Sequence, residues 1–187
     1  MTPWLRAALA ALAMLLFAPG PAAAQGVLVD KSEIRFVSKQ LGVNFEGRFR
    51  KWQANIVFRP ADLAKSKAEF DIDLTSIDLA SEDSESEVRG PLWFDMTKFP
   101  VARFVSTSIR SSGPDRYDVA GRLSLKGTTK DVVVPIAVRK DPVGNSVAEG
   151  TFTVNRIEFR IGEGLWADPV VVAYDVVVRV RMVLAPG

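Results

Sequence analysis

The sequence predicts an all-β domain, built either as a closed antiparallel barrel or as a sandwich. Eight or nine segments alternate apolar and polar residues with the period of a strand that has one buried and one solvated face. Clusters of Gly, Pro, Asp, Asn and Ser separate these segments at regular spacing. One stretch, residues 78–88, interrupts them with an acidic composition that is typical of a short surface helix.

The first 24 residues predict an export signal. Arg6 gives a positive start, residues 7–17 are continuously apolar, and residues 22–24 (AAA) form a small-residue cleavage site. The apolar run is short for a membrane span, although an uncleaved N-terminal anchor is the alternative. We expect cleavage near Ala24, which leaves residues 25–187 as one domain.

Four strands are predicted before the acidic stretch. Gly42 marks the turn after the first strand, and residues 63–65 are expected to form one helical turn. The helix that follows the fourth strand is expected to have Ser81 as its N-cap and to end at Gly90. The four predicted strands cover residues 34–39, 43–49, 52–58 and 67–74.

Five strands are predicted after the helix. Pro100 gives the first of them a defined start, because proline fixes its own φ and favours an extended residue before it. Residues 126–130 (KGTTK) predict a hairpin in which Gly127 can adopt a positive φ. Residues 132–138 are apolar enough for a strand covered on both faces, unless Pro135 marks an edge or a bulge. The five strands cover residues 102–109, 117–125, 132–138, 147–155 and 176–184.

The chain contains neither cysteine nor histidine, which excludes several kinds of active site. A cysteine nucleophile, a Ser-His-Asp triad and an imidazole ligand for zinc or haem all need one of these residues. After the export signal, 23 basic residues balance 22 acidic ones without forming a basic stripe, so we expect no nucleic-acid partner. We also predict no metal site and no cofactor.

Three acids on one predicted strand, Glu69, Asp71 and Asp73, leave an enzymatic alternative open. Successive members would lie about 7 Å apart on the same face of the strand. Carboxylate pairs at such a spacing serve glycoside hydrolases, so an enzyme acting on a glycan is the alternative function. The alternation of the strand favours another interpretation, in which the three acids form a solvated outer face.

Two separated segments carry a resemblance to a known family. The first is residues 93–95 (WFD) followed by residues 99–106 (FPVARFVS), and the second is residues 121–130 (GRLSLKGTTK) completed by residues 132–135 (VVVP). From about residue 29 to residue 184, the chain resembles the YceI-like family of lipocalin-like, polyisoprenoid-binding periplasmic proteins. Weaker matches lie at residues 41–42, 47–49 and 152–156.

The resemblance implies an extended eight-stranded antiparallel barrel with one or two short helices and an elongated apolar cavity, with Trp93 and Phe94 gating or plugging its mouth. It implies a periplasmic protein that binds, stores or transports a non-covalently held polyisoprenoid lipid or isoprenoid quinone, without catalysis. Residues 39–42 (KQLG) and 164–166 (GLW) resemble a subgroup found with cytochrome b561-type membrane proteins. A membrane, such a cytochrome and a second copy in a homodimer are therefore the partners left open. A packed barrel that acts only as an interaction module for the cytochrome is a further alternative.

Strand alternation and motif position give the candidate ligand site. Gln40, Arg48 and Arg156 are the candidate head-group contacts. Gln40 stands where many relatives have histidine, so its contact would not titrate. Ile157 and Arg160 occupy places where many relatives have serine and glycine. The candidate lining residues of the cavity are Ile34, Phe36, Phe45, Phe49, Trp52, Phe94, Phe104, Phe152, Phe159 and Met182.

Overall fold

A computed structural model describes residues 26–79 and 81–186, so the predicted export signal at residues 1–24 lies outside the described residues. The described residues form one antiparallel sheet of ten strands and one α-helix, α1, at Glu82–Arg89. Short 3-10 helices lie at Val29–Lys31, Leu63–Lys65, Leu74–Ser76, Arg156–Phe159 and Gly164–Ala167. The strands are β1 (Glu33–Gln40), β2 (Val43–Phe49), β3 (Trp52–Val57), β4 (Lys67–Asp73), β5 (Ile77–Asp78), β6 (Val101–Gly113), β7 (Arg116–Leu125), β8 (Thr128–Lys140), β9 (Ser146–Asn155) and β10 (Asp175–Leu184).

The sheet curls into a half-barrel with the strand order β3-β4-β6-β7-β8-β9-β10-β1-β2-β5. Its two edges meet where the chain passes directly from β2 into β3. There the Arg50 N–H donates to Ser76 O at 3.1 Å, which extends the β2–β5 pairing, and the Asp73 N–H donates to Lys51 O at 3.0 Å, which extends the β3–β4 pairing. The inner faces of the strands therefore surround a common interior.

The predicted all-β fold is confirmed, with ten strands in place of eight. Nine of the ten coincide with the alternating segments of the sequence. The tenth, β5, contains only Ile77 and Asp78, and two residues are too few to form an alternating pattern. The predicted helical turn at Leu63–Lys65 is present as a 3-10 helix.

Helix α1 has the predicted ends. The Ser81 hydroxyl accepts a hydrogen bond from the Ser84 N–H at 3.4 Å, and three acids occupy the first turn, where the helix dipole favours negative charge. Gly90 is the C-cap. Within residues 26–79 and 81–186, no helix combines the length and the apolar character needed to cross a membrane.

The core consists of two clusters of buried side chains. The larger cluster joins the middle of the sheet to α1 and to the segment after it, and includes Val88 and Trp93. Phe49 and Ile72 are partly buried and pack against both clusters, so the interior is continuous along the barrel. The smaller cluster, called the second cluster below, consists of Ile34, Ile56, Met182 and Leu184.

The two segments that carry the family resemblance contact each other in the fold. Lys126 and Gly127 join β7 to β8 with φ angles of 47° and 72°, as a two-residue type I′ hairpin requires. The Phe99 ring lies against this turn, so a Cβ on Gly127 would come within 2.9 Å of a ring carbon. Glycine at this position therefore serves both the turn and the aromatic contact.

Strands β8 and β9 pair over only part of their length. The pairing ends at Ile136, which lies opposite Gly150. Pro135, the next residue of β8, has no N–H to donate, so the predicted edge position of this proline is confirmed. Beyond it, residues 130–135 and 151–155 border a gap of about 430 Å³ between the two strands.

Candidate ligand-binding cavity

The interior of the half-barrel holds a cavity of about 480 Å³. This volume is typical of small-molecule sites, which span about 300–1,000 Å³. Of the 27 residues that line the cavity, 21 are apolar. The polar lining residues are Ser38, Gln40, Asp83, Ser84, Glu87 and Arg156.

Strand alternation directs the lining side chains inward. On β1, every second residue from Ile34 to Gln40 lines the cavity, whereas Arg35 on the opposite face is exposed. Strands β2, β4, β6, β7, β9 and β10 contribute lining residues as well, and α1 covers the remaining side with Val88 and its polar neighbours.

The position of Phe36 in the cavity wall depends on a glycine in the neighbouring strand. Gly47 lies opposite Phe36 in the register of β1 and β2. A Cβ on Gly47 would collide with the Phe36 ring and come within 2.8 Å of Leu79 Cδ2. Phe36 therefore occupies the space above Gly47, and its ring centre lies 5.5 Å from that of Phe49.

One end of the cavity is apolar and is closed by the second cluster. Ile34 belongs both to the cavity lining and to that cluster. Phe49, Ile72 and Val178 line the cavity and also pack against the cluster. A ligand at this end would contact only hydrocarbon side chains from these four residues.

The other end of the cavity is organised by Arg156, which is only 2% exposed. A guanidinium has five N–H donors, and here all five donate to backbone carbonyls at distances of 2.6 to 3.0 Å. These bonds hold the loop between β9 and β10 in place. The accepting carbonyls belong to Ile161, Gly162, Trp166, Val172 and Ala173.

Carbonyl dipoles and aromatic rings stabilise the positive charge of Arg156. Its guanidinium carbon lies 5.8 Å from the centre of the Trp93 ring and 5.7 Å from that of the Tyr174 ring, within cation–π range. In the described part of the chain, no carboxylate forms an ion pair with it. Burial lowers the pKa of Arg156, but the ordinary value is so high that the group stays charged at neutral pH.

Other polar lining residues gather around Arg156. Trp166, whose carbonyl accepts from Arg156, donates its indole N–H to Glu87 Oε1 at 2.9 Å. Gln40 forms an isolated β-bridge with Val172, whose carbonyl also accepts from Arg156. The cavity therefore has an apolar end and a polar end.

Two buried polar atoms on the cavity wall have no hydrogen-bond partner among the described residues, namely Ser38 Oγ and Trp93 Nε1. Ser38 is 5% exposed and Trp93 is 9% exposed. Buried polar side-chain atoms are nearly always paired in folded proteins. Both atoms are themselves buried, so they are exceptions to this rule.

Comparison with known protein families shows to which family this chain belongs. The YceI-like domain matches residues 27–184. The chain belongs to the YceI-like family. A relative, the UPF0312 protein of Pseudomonas savastanoi pv. phaseolicola, is 32% identical over 169 residues, which cover 84% of this chain and 88% of that protein.

Two solved structures share the fold. Burkholderia cenocepacia BcnA is 35% identical, with a TM-score of 0.82 over 86% of this chain and 100% of BcnA. A polyisoprenoid binding domain from Saccharophagus degradans, implicated in plant cell wall breakdown, has a TM-score of 0.70 at 16% identity. The match covers 89% of this chain and 100% of that domain. The family expected from the two sequence segments is thus confirmed.

Eight of the thirteen predicted ligand residues line the YceI-like cavity, and their contact with a ligand stays a prediction. Arg156 is among them, but it has no N–H left for a head group, because all five donate to carbonyls. It can act on a ligand only through its charge. The eight are Ile34, Phe36, Gln40, Phe45, Phe49, Phe94, Phe152 and Arg156.

Arg48 lies on the outer face of the barrel, which corrects its predicted position at the head group. Its neighbours Gly47 and Phe49 point inward, so alternation turns Arg48 outward. There its Nε donates to Asp78 Oδ2 at 2.8 Å, and Arg50 pairs with the same carboxylate.

Four predicted aromatic and aliphatic lining residues are packed in the core instead of bordering the cavity. Phe104 is buried in the larger cluster, where its ring fills the space above Gly121. Phe159 is 2% exposed in the same cluster. Met182 belongs to the second cluster and Trp52 packs against it, so both lie beyond the apolar end of the cavity.

The three acids considered for a glycan-acting enzyme lie on the outer face of β4. Phe70 and Ile72 point inward, so Glu69, Asp71 and Asp73 point outward. Asp71 accepts two hydrogen bonds from Arg103 at 2.8 and 2.9 Å. Outward orientation fits the solvated face that the alternation favoured.

Four polar lining residues were not predicted, namely Ser38, Asp83, Ser84 and Glu87. The alternation of β1 already placed Ser38 on the inward face, so a signal for it was present. Asp83 and Glu87 are four residues apart and share one face of α1. Only the packing of α1 against the barrel reveals that this face borders the cavity.

Proposed function

We propose that this YceI-like protein binds one long-chain isoprenoid lipid, a polyisoprenoid or an isoprenoid quinone, and stores or carries it in the periplasm without catalysis. The observation that carries the proposal is the cavity of about 480 Å³ with 21 apolar lining residues out of 27. The polyisoprenoid binding of the Saccharophagus degradans domain, which shares the fold, supports the same ligand class.

The cavity suits an uncharged chain in energetic terms. Burial of one CH₂ group contributes about 0.8 kcal/mol, so a five-carbon isoprene unit contributes about 4 kcal/mol. Association of a ligand costs about 4–15 kcal/mol in lost freedom. Four buried units, at about 16 kcal/mol, would exceed this cost without any polar contact.

The two ends of the cavity imply an orientation for the ligand. We infer that the tail lies against the second cluster, because that end offers only hydrocarbon contacts. The head group would then lie near Gln40, Glu87 and Arg156. This arrangement matches an amphiphile that has a long apolar tail and a compact polar head.

An exposed apolar rim supports exchange of the ligand with a membrane. Leu41, Val43, Leu165 and Val170 are between 70% and 88% exposed, and each lies within two residues of one that lines the cavity. Exposed apolar residues grouped at a cavity entrance are typical of contact with a membrane or a protein partner. We propose that this rim contacts the membrane, directly or through a membrane cytochrome, during transfer. A homodimer formed through the same rim would compete with that contact.

Native mass spectrometry combined with organic extraction tests the binding function. We expect the purified protein to carry one lipid molecule per chain, or to take up a polyprenyl quinone after delipidation. A chain that is empty and also fails to take up the quinone would refute the proposal. N-terminal sequencing of the exported protein should give a mature chain that begins near Gln25.

A matched pair of variants localises the ligand. Ala102 lines the cavity, whereas its neighbour Val101 is 49% exposed on the opposite face of β6. Ala102→Phe should fill part of the cavity and lower quinone uptake at least about tenfold, since lost apolar burial of about 1.4 kcal/mol is tenfold in affinity. Val101→Phe adds the same ring outside and should bind normally. Far-UV circular dichroism confirms that both variants are folded.

A further inference from the structure

Three exposed arginines form a row across neighbouring strands on the outer face of the barrel. In the register of the sheet, Arg35 on β1 lies directly opposite Arg179 on β10, and it also lies directly opposite Arg48 on β2. Opposed residues of antiparallel strands have Cα atoms about 4.5–5.5 Å apart, so the backbone positions of the row span about 10 Å. These three residues are called the arginine row below.

The arginine row has positive charge that its neighbours do not neutralise. Like charges that lie directly opposite each other destabilise a sheet. The Glu33 carboxylate accepts from Arg35 Nε at 2.7 Å. The Asp78 carboxylate is shared between Arg48 and one further arginine. In the part of the chain that the structure describes, no carboxylate lies within ion-pair distance of Arg179. The stability of the sheet therefore does not explain the row.

The exposed apolar rim lies on the same side of the barrel as the arginine row. Leu41 and Val43 lie where β1 turns into β2. The Leu41 N–H donates to Val171 O at 3.0 Å, so Val170 lies beside this turn. Arg35 is six residues before Leu41, about 20 Å along the strand. The rim and the row therefore share one wall, which is formed by β10, β1 and β2.

The outward side chains of this wall have a net positive charge. By strand alternation, β10, β1 and β2 direct five basic residues and three acidic residues outward, which gives a net charge of +2. A wall of this kind attracts an anionic surface. The basic residues are Arg35, Lys39, Arg48, Arg179 and Arg181, and the acidic residues are Glu33, Glu46 and Asp175.

We propose that the wall formed by β10, β1 and β2 docks on an anionic lipid bilayer, with the arginine row on lipid phosphates and the apolar rim among the head groups. The planar fork of a guanidinium matches the geometry of a phosphate. One small anion would bridge a single pair of neighbours in the row, whereas a plane of phosphates can meet the row and the rim together. This inference rests on the proposed function, because it supplies the membrane contact that exchange of the lipid requires.

Vesicle flotation tests the docking. The wild type should bind vesicles of phosphatidylglycerol and phosphatidylcholine, and should bind vesicles of phosphatidylcholine alone much more weakly. Higher ionic strength should weaken the binding, because salt screens exposed charges. A basic residue near an anionic bilayer strengthens binding about fivefold. Arg35→Gln and Arg179→Gln should therefore each lower the partition coefficient by that factor, and the double variant should lower it about 25-fold.

Arg122→Gln is the matched control. Arg122 is exposed on β7, four strands away from β1 in the sheet, and its replacement removes the same charge. This variant should bind vesicles within about twofold of the wild type. All the variants should keep the thermal midpoint of the wild type, as surface substitutions usually do. They should also take up quinone normally, because Arg35, Arg122 and Arg179 do not line the cavity.

Several results would overturn the docking. An equal loss of vesicle binding in Arg122→Gln and in the row variants would mean that only the net charge matters. Unchanged binding in the double variant, or no binding of phosphatidylglycerol vesicles by the wild type, would overturn it as well. Binding of soluble tripolyphosphate without binding of vesicles would assign the row to a free phosphate instead. If vesicle binding depends on the row but the wild type takes up no quinone, the docking is supported and the proposed lipid carriage alone fails.

Discussion

Replacing Arg156 with methionine is expected to remove much of the stability of this domain. The variant keeps an apolar stem of similar length but deletes all five donors that bond to the β9–β10 loop. Each buried carbonyl left without a partner costs about 1–3 kcal/mol. Three of the five bonds are fully buried, so even at the lower limit the carbonyls of Ile161, Gly162 and Val172 amount to about 3 kcal/mol, against a total unfolding free energy of about 5–15 kcal/mol for a typical domain.

Urea denaturation measures this loss. Unfolding is followed by tryptophan fluorescence and far-UV circular dichroism, and the free energy of unfolding is obtained by linear extrapolation to zero urea. Arg156→Lys has only three donors and should be intermediate in stability. Arg179→Met is the control, because Arg179 is exposed on β10 and surface changes of this kind stay within about 0.5 kcal/mol. A loss below about 1 kcal/mol for Arg156→Met would refute the five-bond account.

Three further perturbations test other parts of the structure. Hydrogen bonds from Lys126, and to a smaller extent from Arg160, lower the pKa of Glu163 in the folded protein. These bonds therefore stabilise the fold at any pH above the pKa of a glutamate in the unfolded chain. This stability is lost as the pH falls through the lowered pKa of the folded protein. In urea titrations between pH 3 and 6, Glu163→Gln should therefore lose less stability on acidification than the wild type, and parallel losses would contradict this. Gly47→Ala should push the Phe36 ring aside, destabilise the fold by about 1–3 kcal/mol and reduce quinone uptake in dialysis, and a wild-type uptake would contradict it. Ser81→Ala should lower the free energy of unfolding by about 1 kcal/mol through loss of the helix cap, and an unchanged urea midpoint would count against the cap.

Much of the fold followed from the sequence, because strand alternation is a local property. It located nine strands and also assigned their inward and outward faces. The length of β6 was harder to predict, since the strand continues to Gly113 and the prediction ended at residue 109. Register irregularities between Ser106 and Ser108, and between Ser111 and Gly113, interrupt its alternation.

The candidate site was predictable only in part, because alternation gives the face of a side chain and not its depth along the barrel. Met182 points inward as expected, yet it lies in the second cluster beyond the cavity. Arg48 could have been excluded, since the same alternation that turns Phe49 inward turns it outward. Trp93 follows no strand pattern, and its unpaired N–H becomes visible only once the surrounding elements are assembled.

The gap between β8 and β9 changes which backbone amides of the sheet are protected from hydrogen exchange with solvent. Amides in the middle of a sheet usually exchange their hydrogens only when the sheet opens. Here the facing edges of residues 130–135 and 151–155 are already separated, so isotope exchange would begin inside the barrel wall instead of at its ends. Phe152 and Val154 border both the gap and the cavity. Deuterium uptake at this point would therefore also report whether the cavity is occupied.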